Sequence, residues 1–140
     1  MCVEIRDLDN GLGNIIIGRE IVNEEELVDA LKNHLTQDND KLKKYKYSLT
    51  DYTGGTKFEV STQKVEQIAK ICESSSIANS EAIVAVVAEQ DFMFGIARMW
   101  ELLSDGTNWE TMVFRNREDA EAWIKERVKQ KYGIDDLTFS

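Results

Sequence analysis

The residues best suited to binding chemistry are three consecutive apolar side chains, Phe92, Met93 and Phe94, at the start of a predicted helix. One helical turn cannot direct all three inward, so at least one is expected on the surface, where a partner or an apolar ligand could contact it. The alternative is that a neighbouring loop or subunit buries this first turn. Arg98, one turn later, is either a ligand for an anion or a solvated or ion-paired surface arginine.

Two hydroxyl residues, Ser61 and Thr62, lie at the predicted start of an earlier helix. A phosphate on Ser61 would meet free backbone N–H groups and the positive end of the helix dipole, so this position can accommodate phosphorylation. The simpler interpretation is that Ser61 or Thr62 caps the helix, which contributes about 1 kcal/mol to stability. The residue pattern favours the cap.

The segment Thr53-Gly54-Gly-Thr56 resembles a phosphate-binding loop only in its paired glycines. It lacks the lysine of a P-loop, and it lacks the glycine spacing of a dinucleotide-binding turn. A tight turn is therefore predicted here.

No arrangement of residues along the chain indicates catalysis. The single histidine, His34, lies on the apolar face of a predicted helix and is interpreted as a structural imidazole. One histidine also excludes a metal site built from several imidazoles. Asp51 and Asp91 are the carboxylates that an unrecognised enzyme could use, but no neighbouring motif supports that role. We expect neither a metal nor a cofactor.

Composition limits the classes of function. The chain has 140 residues and a net charge of −9, so nucleic-acid binding is not expected, because phosphates would be repelled over most of the surface. No apolar run approaches the ~20 residues of a membrane span, and the first residues lack the pattern of a signal peptide. Cys2 and Cys72 are expected to remain reduced thiols in a cytoplasmic protein.

The elements that must position these residues follow from hydrophobic periodicity. Strands are predicted at 2–8, 15–19, 43–51, 82–88 and 109–114, and helices follow Asn23, follow Ser61, and cover 91–103 and 117–124. A loop is predicted at 52–57. The order β-β-α-β-α-β-α-β-α predicts one α/β domain over 1–140, with a mixed sheet of about five strands and four main helices. Only the first strand is expected to run antiparallel, and ligands are expected at the carboxyl ends of the strands.

Helix boundaries and faces can be predicted in more detail. Asn23 followed by Glu26 resembles a capping box, and Asp91 is expected to cap its own helix. The core face of the helix at 91–103 is predicted from spacing to contain four apolar residues: Ile96, Met99, Leu102 and Leu103.

Four segments together carry a family resemblance. They are Ala85-Val-Val-Ala, Phe94-Gly-Ile-Ala-Arg-Met-Trp-Glu, Val113-Phe-Arg and Ala120-Glu-Ala-Trp-Ile. The combination resembles the bacterial SpoIIAA-like proteins, which are related to the STAS domain of anti-sigma-factor antagonists. The resemblance is best over 82–124, and it implies a STAS-like fold. Members close to this pattern are mostly of unassigned function.

In the STAS antagonists, a serine that begins the helix after the third strand is phosphorylated by a partner kinase, and this controls binding. The resemblance implies that Ser61 is the matching residue. Our first hypothesis is accordingly a non-enzymatic interaction domain that binds a protein partner through surfaces at 53–62 and 90–98. The edge strand at 2–8 also makes a homodimer plausible.

Two further hypotheses are kept open. STAS domains share their broad topology with lipid-transfer domains of the CRAL-TRIO type, so Phe92 and Phe94 could line an apolar pocket of a small-molecule carrier or sensor. The third hypothesis is an enzyme that uses Asp51 or Asp91.

Overall fold

Strands and helices alternate along most of the chain. The computed structural model describes residues 2–35, 39–76 and 81–140. Within these ranges the strands are β1 (Val3–Leu8), β2 (Gly13–Asn23), β3 (Tyr47–Glu59), β4 (Ile83–Val87) and β5 (Glu110–Phe114). The helices are α1 (Glu24–Leu35), α2 (Asn39–Lys44), α3 (Thr62–Ser75), α4 (Asp91–Leu103) and α5 (Arg117–Tyr132). The predicted α/β class and the order of the main elements are confirmed.

The five strands form one mixed sheet in the order β1-β2-β3-β4-β5. β1 is antiparallel to β2, and each other neighbouring pair is parallel, as predicted. A short turn reverses the chain between β1 and β2, whereas the helical connections return it in the same direction. In that turn Asp9 and Asn10 have φ values of 52° and 58°, a left-handed region that Asp and Asn tolerate.

Each face of the sheet has its own core. On one face, residues of α1, α3 and α4 pack against alternate residues of β2, β3 and β4. On the other face, α5 packs with residues 134–140, which we call the C-terminal arm. Leu137 and Phe139 of this arm are buried, so the arm is docked on this face of the sheet. No helix in the described ranges is long and apolar enough to cross a membrane.

β3 differs most from its sequence-based prediction. It begins at Tyr47 rather than Lys43, because residues 39–44 form α2. The loop predicted at 52–57 is wrong, since β3 continues to Glu59 and pairs with β2 across two irregularities in the ladder. A Cβ at Gly55 would lie 2.5 Å from the ring of Phe58, so glycine there lets an aromatic side chain approach the strand backbone.

The predicted cap of α1 at Asn23 is confirmed, whereas the predicted capping box with Glu26 is wrong. Asn23 does accept hydrogen bonds from the Glu25 and Glu26 amides at 2.9 and 3.3 Å. Glu26 does not complete a capping box, because its carboxylate accepts the amides of Cys2 and Val3 at 2.8 and 3.0 Å and so holds the start of β1.

The start of α4 and its buried face are likewise different from the prediction. Gln90 occupies the cap position of α4, without a side-chain bond, and Asp91 is the first helical residue. Met93 and Ala97 form the buried face, whereas Leu102 and Leu103 are 67% and 43% exposed. Of the predicted core face, Ile96 is confirmed because it packs against this core, whereas Leu102 and Leu103 are wrong.

Candidate functional site

A cavity of about 110 Å³ lies between the sheet and the helices of the first core. Its floor is the central part of β2, β3 and β4, and α1, α3 and α4 cover it. Most of the side chains around it are apolar, including Ile16, Leu27, Leu31, Leu42, Val60, Val65, Ile68, Val84, Val86, Met93, Ile96, Ala97, Trp100 and Trp109. This composition is typical of sites for small apolar molecules.

One group of polar side chains in the cavity forms a hydrogen-bonded chain. The Ser48 hydroxyl donates to Asn14 Oδ1 at 2.6 Å, and Asn14 Nδ2 lies 3.2 Å from His34 Nε2. Because the Asn14 amide nitrogen is a donor, His34 Nε2 is the acceptor in this pair. The structure thus agrees with the prediction of a structural imidazole and connects it to β2 and β3.

Two more hydroxyl groups line the cavity from β3. Thr50 and Tyr52 are 7% and 8% exposed, and both point to the same face as Ser48 because side chains alternate along a strand. No hydrogen bond joins either hydroxyl to another described residue, so both are available to a molecule in the cavity. Burial raises the pKa of the Tyr52 phenol, so this group stays protonated and can both donate and accept.

Cys72 of α3 also lines this cavity. Burial raises the pKa of its thiol to about 11, against the opposing effect of a hydrogen bond from Trp100. The reactive form of cysteine is the thiolate, so this thiol is unreactive at neutral pH. Both Cys72 and Cys2 are free thiols, as predicted.

The cavity lining carries no formal charge. None of the lining residues in the described part of the chain is Asp, Glu, Lys or Arg. In the same part of the chain, no group of three or more His, Cys, Asp or Glu residues is placed to hold a metal ion. The described part of the lining is suited to an uncharged molecule.

The aromatic cluster of α4 is divided between surface and interior. Phe92 is 54% exposed, which confirms that at least one of the three side chains lies on the surface. Met93 is buried and lines the cavity. Phe94 is half-buried under Arg115, whose guanidinium carbon lies 3.9 Å from the ring centroid.

The charged residues near α4 are ion-paired. Arg98 Nη1 binds Glu101 Oε1 one turn later, which favours the ion-paired interpretation of this arginine. Arg115 binds Asp91 at 2.7 Å, so Asp91 fixes the start of α4 to the end of β5.

The hydroxyl cluster at 61–62 is explained by helix capping. Ser61 Oγ accepts the amide of Lys64 at 3.4 Å and thereby caps α3, as the sequence favours. The Glu24 carboxylate accepts both the backbone amide and the hydroxyl of Ser61, at 3.0 and 3.2 Å. Thr62 is the first residue of α3 and is exposed. The residue proposed to be phosphorylated therefore has a carboxylate beside its hydroxyl.

The two predicted interaction surfaces, at 53–62 and 90–98, meet near the carboxyl end of β3. The Gln90 side chain donates to the Gly55 carbonyl at 3.2 Å, which connects the start of α4 to the 53–56 segment of β3. In that segment Gly54 pairs with Arg19, and the Thr53 hydroxyl donates to Asp51 at 2.7 Å. Asp51 also binds Arg117 at 3.4 Å, so its carboxylate joins β3 to α5.

Sequence reasoning missed the polar residues of the cavity. Ser48, Thr50 and Tyr52 alternate with Tyr47, Leu49 and Asp51 along the central strand. Polar side chains on one face of a strand that is covered on both faces are an unusual signal, because such strands are expected to be continuously apolar. That pattern can be read from the sequence. The contact between Asn14 and His34 cannot, because these residues are brought together only by the packing of α1 against the sheet.

Comparisons of this chain with protein-family models, with curated proteins and with solved structures find no match.

Proposed function

We propose that this domain is a carrier or sensor of a small apolar ligand and acts by binding rather than by catalysis. The observation that carries the proposal is the cavity of about 110 Å³ between the sheet and helices α1, α3 and α4. Protein interiors are close-packed, so an apolar space of this size is a feature that needs an explanation. An engineered apolar cavity of about 150 Å³ is sufficient to bind benzene.

The chemistry of the lining supports binding rather than turnover. Among the described residues that line the cavity there is no Asp, Glu, Lys or Arg, and burial raises the pKa of the Cys72 thiol. This cysteine is therefore not activated as a nucleophile.

The test is to fill the cavity. Ala97 is 3% exposed and lines the cavity, so Ala97→Leu places a larger side chain into the free space. Ala122→Leu is the matched control, because Ala122 is exposed on α5 on the opposite face of the sheet. Native mass spectrometry of protein purified from its own source should detect a bound molecule in the unmodified protein and in Ala122→Leu but not in Ala97→Leu. Equal occupancy in both variants would contradict a ligand site in this cavity.

A second proposal is the protein-interaction domain that the SpoIIAA-like resemblance implies, acting in the cytoplasm with a protein partner. It is favoured by the outer face of α4, where Phe92, Leu102 and Leu103 are 54%, 67% and 43% exposed. Large exposed apolar side chains on one helix are typical of interaction surfaces. Phe92→Asp should weaken partner capture while leaving the circular dichroism spectrum unchanged. This proposal includes a homodimer, in which the partner is a second copy of the chain. Sedimentation equilibrium of the unmodified protein and of Phe92→Asp measures whether the homodimer forms.

A further inference from the structure

Three of the polar side chains in the cavity lie on one strand, β3. Ser48, Thr50 and Tyr52 occupy alternate positions of β3 and line the floor, and the side chains that cover them from α1 and α4 include Leu27 and Met93. A molecule in this cavity would therefore meet hydroxyl groups on the sheet side and apolar groups on the helix side. The cavity has the polarity of a site for an amphiphilic molecule.

These polar groups are not equally available for hydrogen bonding to a ligand. Ser48 and Asn14 are bonded to each other, and Asn14 is bonded to His34. No hydrogen bond joins the hydroxyl of Thr50 or of Tyr52 to another described residue. Because both residues line the cavity, a ligand there can donate to these hydroxyls or accept from them.

The lining also selects against charge. None of the lining residues in the described ranges is Asp, Glu, Lys or Arg. An anion or a cation would lose its hydration here without gaining a charged partner, and this desolvation is costly in an apolar site.

We infer that the ligand is an uncharged amphiphile of about six non-hydrogen atoms, close to benzene in size. Its apolar part lies against α1 and α4, and its single hydroxyl or carbonyl group bonds to Thr50 and Tyr52. This inference rests on the proposed function, and it names the chemical class of molecule that the cavity takes.

Four probes of similar size test whether the cavity prefers a polar, an apolar or a charged ligand: 1-pentanol, n-hexane, pentylammonium and pentanoate. Binding is followed by the fluorescence of Trp100 and Trp109, which line the cavity, and by chemical-shift changes of the isoleucine and leucine methyl groups. We expect 1-pentanol to bind at least fivefold more tightly than n-hexane. Pentylammonium and pentanoate should bind at least tenfold more weakly than 1-pentanol.

Two variants test the hydrogen bonds. Thr50→Val and Tyr52→Phe each remove one hydroxyl and keep the shape of the side chain, and each should lower the affinity for 1-pentanol at least threefold without changing that for n-hexane. Thr111→Val is the control, because Thr111 is in β5 of the same sheet but does not line the cavity.

The outcomes distinguish this inference from the proposed function. If n-hexane binds as tightly as 1-pentanol, if a charged probe binds equally well, or if neither variant changes the affinity, the inference is overturned and the apolar site remains. If none of the four probes binds, the proposed function is contradicted as well.

Discussion

The phenol of Tyr47 donates a hydrogen bond to the carboxylate of Asp9, and this bond joins the start of β3 to the turn between β1 and β2. The same carboxylate accepts the backbone amides of Thr138 and Phe139 at 2.9 and 3.2 Å. The ring of Phe139 lies edge-on to that of Tyr47, with their centroids 5.4 Å apart. Asp9 thus organises a contact between three segments that are distant in sequence.

The arm is expected to detach in acid. Burial alone would raise the pKa of Asp9, but the hydrogen bonds from Tyr47, Thr138 and Phe139 outweigh it and hold the pKa below its usual value of 3.8. A carboxyl group with a lowered folded-state pKa stabilises the fold above its unfolded pKa, and this contribution is lost as the pH falls through the folded value. The hydrogen-exchange protection factors of residues 137–140, which correct for the intrinsic pH dependence of exchange, should therefore fall below about pH 4. In Asp9→Asn these protection factors should already be low at pH 7, and an unchanged pH profile in that variant would contradict the assignment.

Phe139 should contribute to stability although it is the penultimate residue. Its side chain is 7% exposed and packs in the same core as Leu137. Phe139→Ala is expected to lower the free energy of unfolding by about 3 kcal/mol, because it removes a buried aromatic ring. Urea denaturation measures this change. Thr138→Ala in the same arm should have a smaller effect, since Thr138 is exposed.

Gly95 and Gly13 should respond in opposite directions to alanine. Gly95 is inside α4, and a Cβ there would have no heavy atom within 4 Å. Gly95→Ala should stabilise the protein by about 0.5–1 kcal/mol, because alanine has the higher helix propensity. A Cβ at Gly13 would lie 2.1 Å from the ring of Tyr47, so Gly13→Ala should destabilise it by about 1–3 kcal/mol. Thermal unfolding of the two variants provides the comparison.

The Ser61 cap can be separated from the proposed phosphorylation of that residue. Ser61→Ala should destabilise the fold by about 1 kcal/mol, because it removes the acceptor for the Lys64 amide. Ser61→Glu should destabilise it further, since the new carboxylate lies beside that of Glu24. The double variant Glu24→Gln, Ser61→Glu should recover part of this loss.

Phosphorylation of Ser61 would meet the same repulsion. Quantitative mass spectrometry of protein from its own source measures whether a phosphate is present. A stable Ser61→Glu variant, with unfolding equal to that of the unmodified protein, would show that Glu24 does not restrict charge at this position.

The sheet could be predicted from residues that are local in sequence. The apolar run at 83–87 and the alternation at 3–8 are sufficient to identify a central strand and an edge strand, because burial on two faces or one face determines the pattern. The helix at 91–103 was predicted with its observed bounds. The continuation of β3 through Gly54 and Gly55 could not be predicted, since paired glycines normally indicate a turn and only pairing with β2 overrides that tendency.

The candidate site, like the sheet, could be predicted from the sequence only in part. Exposure of Phe92 follows from helix geometry alone, because three consecutive residues cannot share one face. The cavity depends on how closely three helices approach the sheet, and that distance is set by side-chain packing between segments far apart in sequence.

The sequence by itself determined the α/β class, the mixed sheet and a cap at Ser61 or Thr62, because each depends on periodicity or on a few adjacent residues. Only the tertiary structure decided that Asn14, His34 and Ser48 meet, and that Thr50 and Tyr52 face an apolar space. Those contacts join β2, α1 and β3, and their geometry comes from the packing of whole elements, which no local pattern encodes.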